Sequence, residues 1–162
     1  MEKKEKYKFY LLIYNIQSKH NIKTLVQSAL NFGCYKILVL GNNKKVLNNC
    51  FEKEKKIEEF KHYFEYFENI EELKKYIKEN NINTCGVEIG ENCIPIQNHP
   101  FKGHTLFILG NEGIGMNQKQ KDLCDNFVFI QQYSEKTGSL NVAIAASIIF
   151  QHFGVWAEYK NK

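Results

Sequence analysis

Two short stretches in the last third of the chain hold residue types from which a ligand pocket can be built: Leu106–Met116 (LFILGNEGIGM) and Ser139–Phe153 (SLNVAIAASIIFQHF). In the first, Gly110-Asn111-Glu112-Gly113-Ile114-Gly115 follows an apolar run. Its three glycines let the backbone turn sharply and approach a ligand with no Cβ in the way. In the second, Ser139 stands where it can cap a helix beginning at Leu140, leaving backbone N–H groups and the positive end of the helix dipole towards the same region. A carboxylate or a developing negative charge is favoured there. Asn141, in the first turn, adds a donor and an acceptor, and Glu112 adds a carboxylate. A capped core helix by itself accounts for Ser139 and the small Ala143, Ala145 and Ala146. It does not account for Glu112 and Asn141 arriving with them, so the pattern points to a small cofactor held largely by loop backbone.

The glycine order excludes better-known alternatives. G-x-x-G-x-G differs from the dinucleotide fingerprint G-x-G-x-x-G, which also belongs after an early strand. No G-K-[ST] follows the glycines, so this is not a P-loop, and no G-x-S-x-G elbow marks a hydrolase. The five cysteines (Cys34, Cys50, Cys85, Cys93, Cys124) are scattered, with no CxxC pair, and no metal is implied.

The pocket needs strands and helices to hold it. Tyr7–Tyr14 is dense in aromatic and β-branched residues and predicts a buried strand. His20–Phe32 carries Ile22, Leu25, Val26, Ala29 and Leu30 at helical spacing, with Gly33 as C-cap. Lys36–Leu40 is the second strand, and this alternation predicts βαβ units and a parallel sheet. From Asn42 to Asn83, Phe60, Tyr63, Phe64 and Phe67 at helix-like intervals and the periodic run Ile70–Ile77 predict amphipathic covering segments. Strands are expected at Thr84–Ile89, Thr105–Leu109 and Phe127–Ile130, helices at Asn117–Cys124 and Leu140–Tyr159, and a loop over Gly90–Pro100.

At 162 residues a single domain spanning 1–162 is expected, with no added RNA-binding domain. The net charge of +4 permits nucleic acid without demanding it. All 22 basic residues are lysine, which meets phosphate as a point charge without arginine's fork. Lys3–Lys8, Lys44–Lys45 and Lys53–Lys56 are candidate phosphate contacts. The opening MEKKEKYKFY has neither a secretory apolar core nor an arginine-rich amphipathic helix, and the longest apolar run, Val142–Phe150, falls short of the roughly 20 residues of a membrane span. These features predict reduced thiols, no membrane association and a cytoplasmic (or nuclear) location.

LGNEGIG at Leu109–Gly115 and SLNVAIAA at Ser139–Ala146 resemble the second and third motifs of the SpoU/TrmH group of RNA ribose 2′-O-methyltransferases, within the SPOUT superfamily. Asn21–Ala29 (NIKTLVQSA), followed by FGC and KILVLG, resembles the first motif, so the similarity runs from about Phe9 to Trp156. The resemblance implies an α/β fold: a mostly parallel sheet with helices on both faces and a C-terminal deep trefoil knot, which ordinary connection rules would discourage. It implies S-adenosylmethionine as cofactor, bound around Leu109, Gly110, Gly113, Ile130 and Leu140, and methyl transfer to a ribose 2′-hydroxyl of tRNA or rRNA. It implies a homodimer in which the first motif of one subunit completes the other's pocket. The residues at the family's catalytic positions are Asn21, Gln27, Glu112, Ser139 and Asn141.

Two positions depart from the pattern. The first motif usually ends in arginine-serine-alanine, where this chain has Gln27-Ser28-Ala29, and a common glycine is Lys23. Glutamine cannot stabilise an alkoxide by charge, and losing one such donor costs about a hundred- to a thousandfold in rate. Lys23 and Gln27 share a helix face, so the Lys23 ammonium is a candidate replacement. The alternative reading is a catalytically degenerate SPOUT protein that binds RNA, with or without S-adenosylmethionine.

Overall fold

Phe9–Ile13 (FYLLI) is apolar at every position, and all five residues are buried in the computed structural model, which describes residues 7–51, 57–89, 92–111, 113–135 and 138–162. The period-two geometry of a strand explains this: Phe9, Leu11 and Ile13 enter one core while Tyr10 and Leu12 enter another on the opposite face. This strand, β1, lies near the middle of a seven-stranded sheet. The others are β2 (Lys36–Leu40), β3 (Phe64–Phe67), β4 (Asn83–Val87), β5 (Cys93–Pro95), β6 (Thr105–Leu109) and β7 (Asn126–Phe129). The order is β3-β2-β1-β6-β4-β7-β5, and every strand pair is parallel.

Helices cover both faces. On one side lie α1 (Lys19–Asn31), α2 (Asn43–Phe51) and α6 (Val142–Trp156), whose Leu25, Leu47, Phe150 and Phe153 pack with Phe9 and Phe107. On the other lie α4 (Ile70–Glu79) and α5 (Gln118–Leu123), whose Leu73 and Leu123 pack with Tyr10, Leu106 and Ile108. A single-turn helix, α3 (Ile57–Phe60), precedes β3. No helix among the described residues is long and apolar enough to cross a membrane.

Three expectations require correction. Phe64–Phe67 forms edge strand β3 instead of helix, with Ile37 in register with Phe64, because the outer edge of β2 offers a row of backbone partners that spacing alone does not reveal. Cys93–Pro95 forms edge strand β5 inside the segment expected to be a loop, with Pro95 at its last position, where a missing N–H is tolerated. The last helix starts at Val142, not Leu140, and ends at Trp156. Lys3–Lys6 and Lys53–Lys56 lie outside the described residues.

Candidate active site

The chain leaves β6 at Leu109, and the Leu109 carbonyl is held by a side chain: Gln120 Nε2 donates to it at 2.7 Å. Gly110 follows in a space with no room for a side chain. A Cβ there would lie 2.7 Å from the Gly115 carbonyl carbon and 2.8 Å from the Met116 nitrogen. The reason is a closed turn: the Asn111 and Gly115 amides exchange hydrogen bonds of 2.8 and 3.0 Å, and Gly115 takes φ +74°.

A frame of amides fixes this turn to the sheet. Asn111 Nδ2 donates to the Asn15 carbonyl at 3.0 Å, and the Gly113 amide donates to Asn111 Oδ1 at 3.0 Å. Asn15, in the left-handed region at φ 60°, donates from Nδ2 to Gln120 Oε1 at 3.1 Å. Gln120 is fully buried and also accepts from the Asn117 amide at 2.9 Å in the capping box of α5. Buried polar groups are tolerable only when satisfied, and this network satisfies its members mutually.

The opposite wall is the start of α6. Asn141, not Ser139, is its N-cap: Asn141 Oδ1 accepts from the Ala143 and Ile144 amides at 2.8 and 3.3 Å. Asparagine caps at least as well as serine, and here its second group finds a use that a hydroxyl could not reach. Asn141 Nδ2 donates to Oδ1 of Asn21, a buried residue near the start of α1. Farther along, Ser28 and Ser147 Oγ atoms lie 2.7 Å apart, clamping α1 to α6.

Between the walls is a cavity of about 450 Å³, within the range of small-ligand pockets. It lies beyond the C-terminal ends of the strands, where open parallel sheets hold ligands. Asn21, Leu109, Gly110, Ile130, Ser139, Leu140 and Asn141, all expected site residues, line it together. Gly113 does not; it is exposed at the turn. Gln27 does not either; it sits on the exposed side of α1, and Lys23 is partly buried on the same helix. Glu112 lies outside the described residues.

Glu88, Asn111 and Phe129 also line the cavity and were missed by sequence reasoning. Glu88 comes one residue after β4, and only the placement of β4 between β6 and β7 brings it here. The apolar lining, including Val87, Met116 and Val142, suits a heteroaromatic ring, and the glycine-tight backbone at Gly110 suits close approach by a ligand. S-adenosylmethionine fits this lining in size and chemistry. Among the described residues no group of three His, Cys, Asp or Glu side chains could hold a metal ion.

Comparison with known proteins agrees with this geometry. The chain is 23% identical over 150 residues to the mitochondrial rRNA methyltransferase 1 of Dictyostelium discoideum, a match covering 90% of this chain and 28% of that protein. The SpoU methyltransferase AviRb of Streptomyces viridochromogenes, solved with the cofactor AdoMet, superposes with a TM-score of 0.72 at 20% identity, over 96% of this chain and 60% of that one. An RNA 2′-O ribose methyltransferase superposes with a TM-score of 0.74 at 14% identity, over 96% of this chain and 58% of that one. The chain thus spans less than a third of the curated relative and about three-fifths of these solved structures. Residues 8–151 match the sequence model of the SpoU rRNA Methylase family, and the chain belongs to that family.

Proposed function

We propose that the cavity binds S-adenosylmethionine and that the protein methylates a ribose 2′-hydroxyl of tRNA or rRNA. The observation that carries this reading is the single cavity shared by Gly110, Ile130, Leu140 and the bonded pair Asn21 and Asn141. When bound, the cofactor supplies a methyl group on a sulfonium sulfur, which passes to the hydroxyl oxygen as the hydroxyl proton leaves to solvent or a weak base. Such a transfer depends on alignment more than on acid chemistry, so positioning supplies most of the rate. Leu109, Gly110, Ile130 and Leu140 would hold the cofactor through backbone and apolar contact. Asn21, Ser139 and Asn141, on the wall next to the α6 N-terminus, would orient the acceptor ribose and its phosphate.

The homodimer belongs to the same reading. On α6, Ile144 and Val155 are 54% and 59% exposed, surface that a second subunit would cover. Gln27 lies outside the cavity of its own chain while Asn21 of the same motif lines it, so in a homodimer the exposed Gln27 turn of α1 would be the part of the first motif that serves a partner's pocket. A C-terminal trefoil knot is supported by the segments after β6 and after β7 lining one cavity although β4 separates those strands. A second reading, RNA binding without methyl transfer, is favoured by one observation: a neutral Gln27 where the family has arginine.

Calorimetric titration with S-adenosylmethionine, repeated on Gly110→Trp, tests the pocket. Micromolar binding that the variant loses is the expected result, and absence of binding in the wild type overturns the cofactor reading. Methylation of total RNA, with 2′-O-methylnucleosides in the digest, is expected next; cofactor binding without methylated nucleosides leaves the RNA-binding reading standing.

A further inference from the structure

We propose that Glu88 is a specificity-determining residue of the pocket, its charge favouring the sulfonium cofactor S-adenosylmethionine over the neutral-sulfur product S-adenosylhomocysteine. The inference rests on the cofactor reading above and goes beyond it, because it assigns a discriminating role to a side chain outside the three motifs.

The position of Glu88 is set by the sheet. Val87, the last residue of β4, is in register with Leu109 on β6 and with Val128 on β7, and the Glu88 amide donates to the Val128 carbonyl at 3.0 Å. The backbone of Glu88 is thereby pinned between the two segments that line the cavity. Its carboxylate reaches towards the glycine turn: Oε1 is 3.9 Å from where a Gly115 Cβ would stand. The same oxygen meets Lys121 Nζ of α5 at 3.7 Å, an ion-pair distance longer than a hydrogen bond.

Charge is scarce here. Among the described residues lining the cavity, Glu88 is the one with an ionisable side chain; Asn21, Asn111, Ser139 and Asn141 are neutral, and the rest are apolar or glycine. The Glu88 and Lys121 side chains are 30% and 42% exposed, so solvent screens their mutual attraction and leaves the carboxylate's field only partly offset. S-adenosylmethionine and S-adenosylhomocysteine share the adenine, the ribose diol and the amino-acid end. They differ in one methyl and one positive charge on sulfur. A carboxylate on a pinned backbone, at the lining of a partly desolvated pocket, therefore acts on that difference, strengthening the charged ligand relative to the neutral one. Product lacking the charge is released more readily, which favours turnover.

The test is calorimetry with both ligands on wild type, Glu88→Gln and Lys121→Met. We expect the ratio Kd(S-adenosylhomocysteine)/Kd(S-adenosylmethionine) to fall by about three- to tenfold in Glu88→Gln, the effect of one screened charge. The same ratio should rise in Lys121→Met, which removes the offsetting cation, and both changes should shrink with added salt. Opposite shifts in the two variants are not produced by a merely structural role. An unchanged ratio in both variants overturns the proposal, as does equal weakening of both ligands in Glu88→Gln. If Glu88→Gln does not fold, judged by circular dichroism, the Lys121→Met ratio decides alone: a rise supports the proposal and a constant ratio overturns it. A wild-type protein that binds neither ligand overturns the cofactor reading itself, a separate result.

Discussion

Asn141 Nδ2 donates to Asn21 Oδ1 at 3.0 Å, tying together residues 120 positions apart. The bond fixes the N-terminus of α6 to the first turn of α1, so one wall of the cavity is built jointly by the first and third motifs. Asn141→Ala removes both the cap and the tether. It should lower stability by about 1–3 kcal/mol in urea unfolding. In a double-mutant cycle with Asn21→Ala the interaction energy should reach about 0.5 kcal/mol or more; strict additivity would show that the bond contributes nothing.

Gly110 and Gly113 lie in one motif, yet substitution should separate them sharply. Gly110→Ala forces a Cβ to within 2.7 Å of backbone, where no side chain can yield, and should cost about 1–3 kcal/mol and abolish cofactor binding. Gly113→Ala meets nothing nearer than Asn111 Oδ1 at 3.8 Å, so its cost should stay within about 0.5 kcal/mol. Thermal melts and calorimetry on the two variants check the contrast.

Gln120 is the buried hub beneath the glycine turn. Gln120→Leu leaves the Leu109 carbonyl, the Asn15 amide side chain and the Asn117 amide without their partner. About 2 kcal/mol or more of stability should be lost, since unsatisfied buried groups carry their full desolvation cost. The unfolding midpoint measures this, and a shift below about 0.5 kcal/mol would show that water replaces the side chain.

Gln27→Arg should raise the methylation rate by about tenfold or more if the family's missing cation limits catalysis, because one charge-assisted donor is commonly worth about a hundredfold or more. Lys23→Met should lower the rate if Lys23 serves in its place. Single-turnover assays on both variants decide. No change in either would show that this helix supplies no catalytic charge.

Burial pushes the thiols of Cys34 and Cys85 well up from their ordinary value and that of Cys124 up to about 12; Cys124 also donates to the Gln120 carbonyl at 3.2 Å. The folded state keeps these protons to higher pH than the unfolded state does, so their contribution to stability is complete below the unfolded thiol pKa near 9 and is lost as pH rises towards 12. The urea midpoint should therefore be lower at pH 10 than at pH 8. At pH 8, iodoacetamide should leave these three thiols unmodified until urea unfolds the chain, as peptide mass mapping would reveal.

Much of this architecture was legible in local patterns. Continuous apolar runs bounded by polar residues define β2 and β6 with the bounds read from sequence, since strands buried on both faces need no alternation. The helical spacing from Ile22 to Leu30 and the glycine past its end define α1 to within a residue or so. The glycines at 110–115 and the Ser-Leu-Asn triplet announced a pocket because backbone exposure at a turn and at a helix start is a local property. What the tertiary structure decided is everything that depends on which strand lies beside which. β3 and β5 exist because β2 and β7 present open edges. Asn141 displaced Ser139 as the cap because Asn21 waits across the sheet face to take its second hydrogen bond. Glu88 entered the cavity because β4 threads between two strands that follow it in the chain, and Gln27 stayed outside because its turn of α1 faces away. Sequence spacing encodes the path of a segment; neighbours across a sheet are set by the packing of the whole chain.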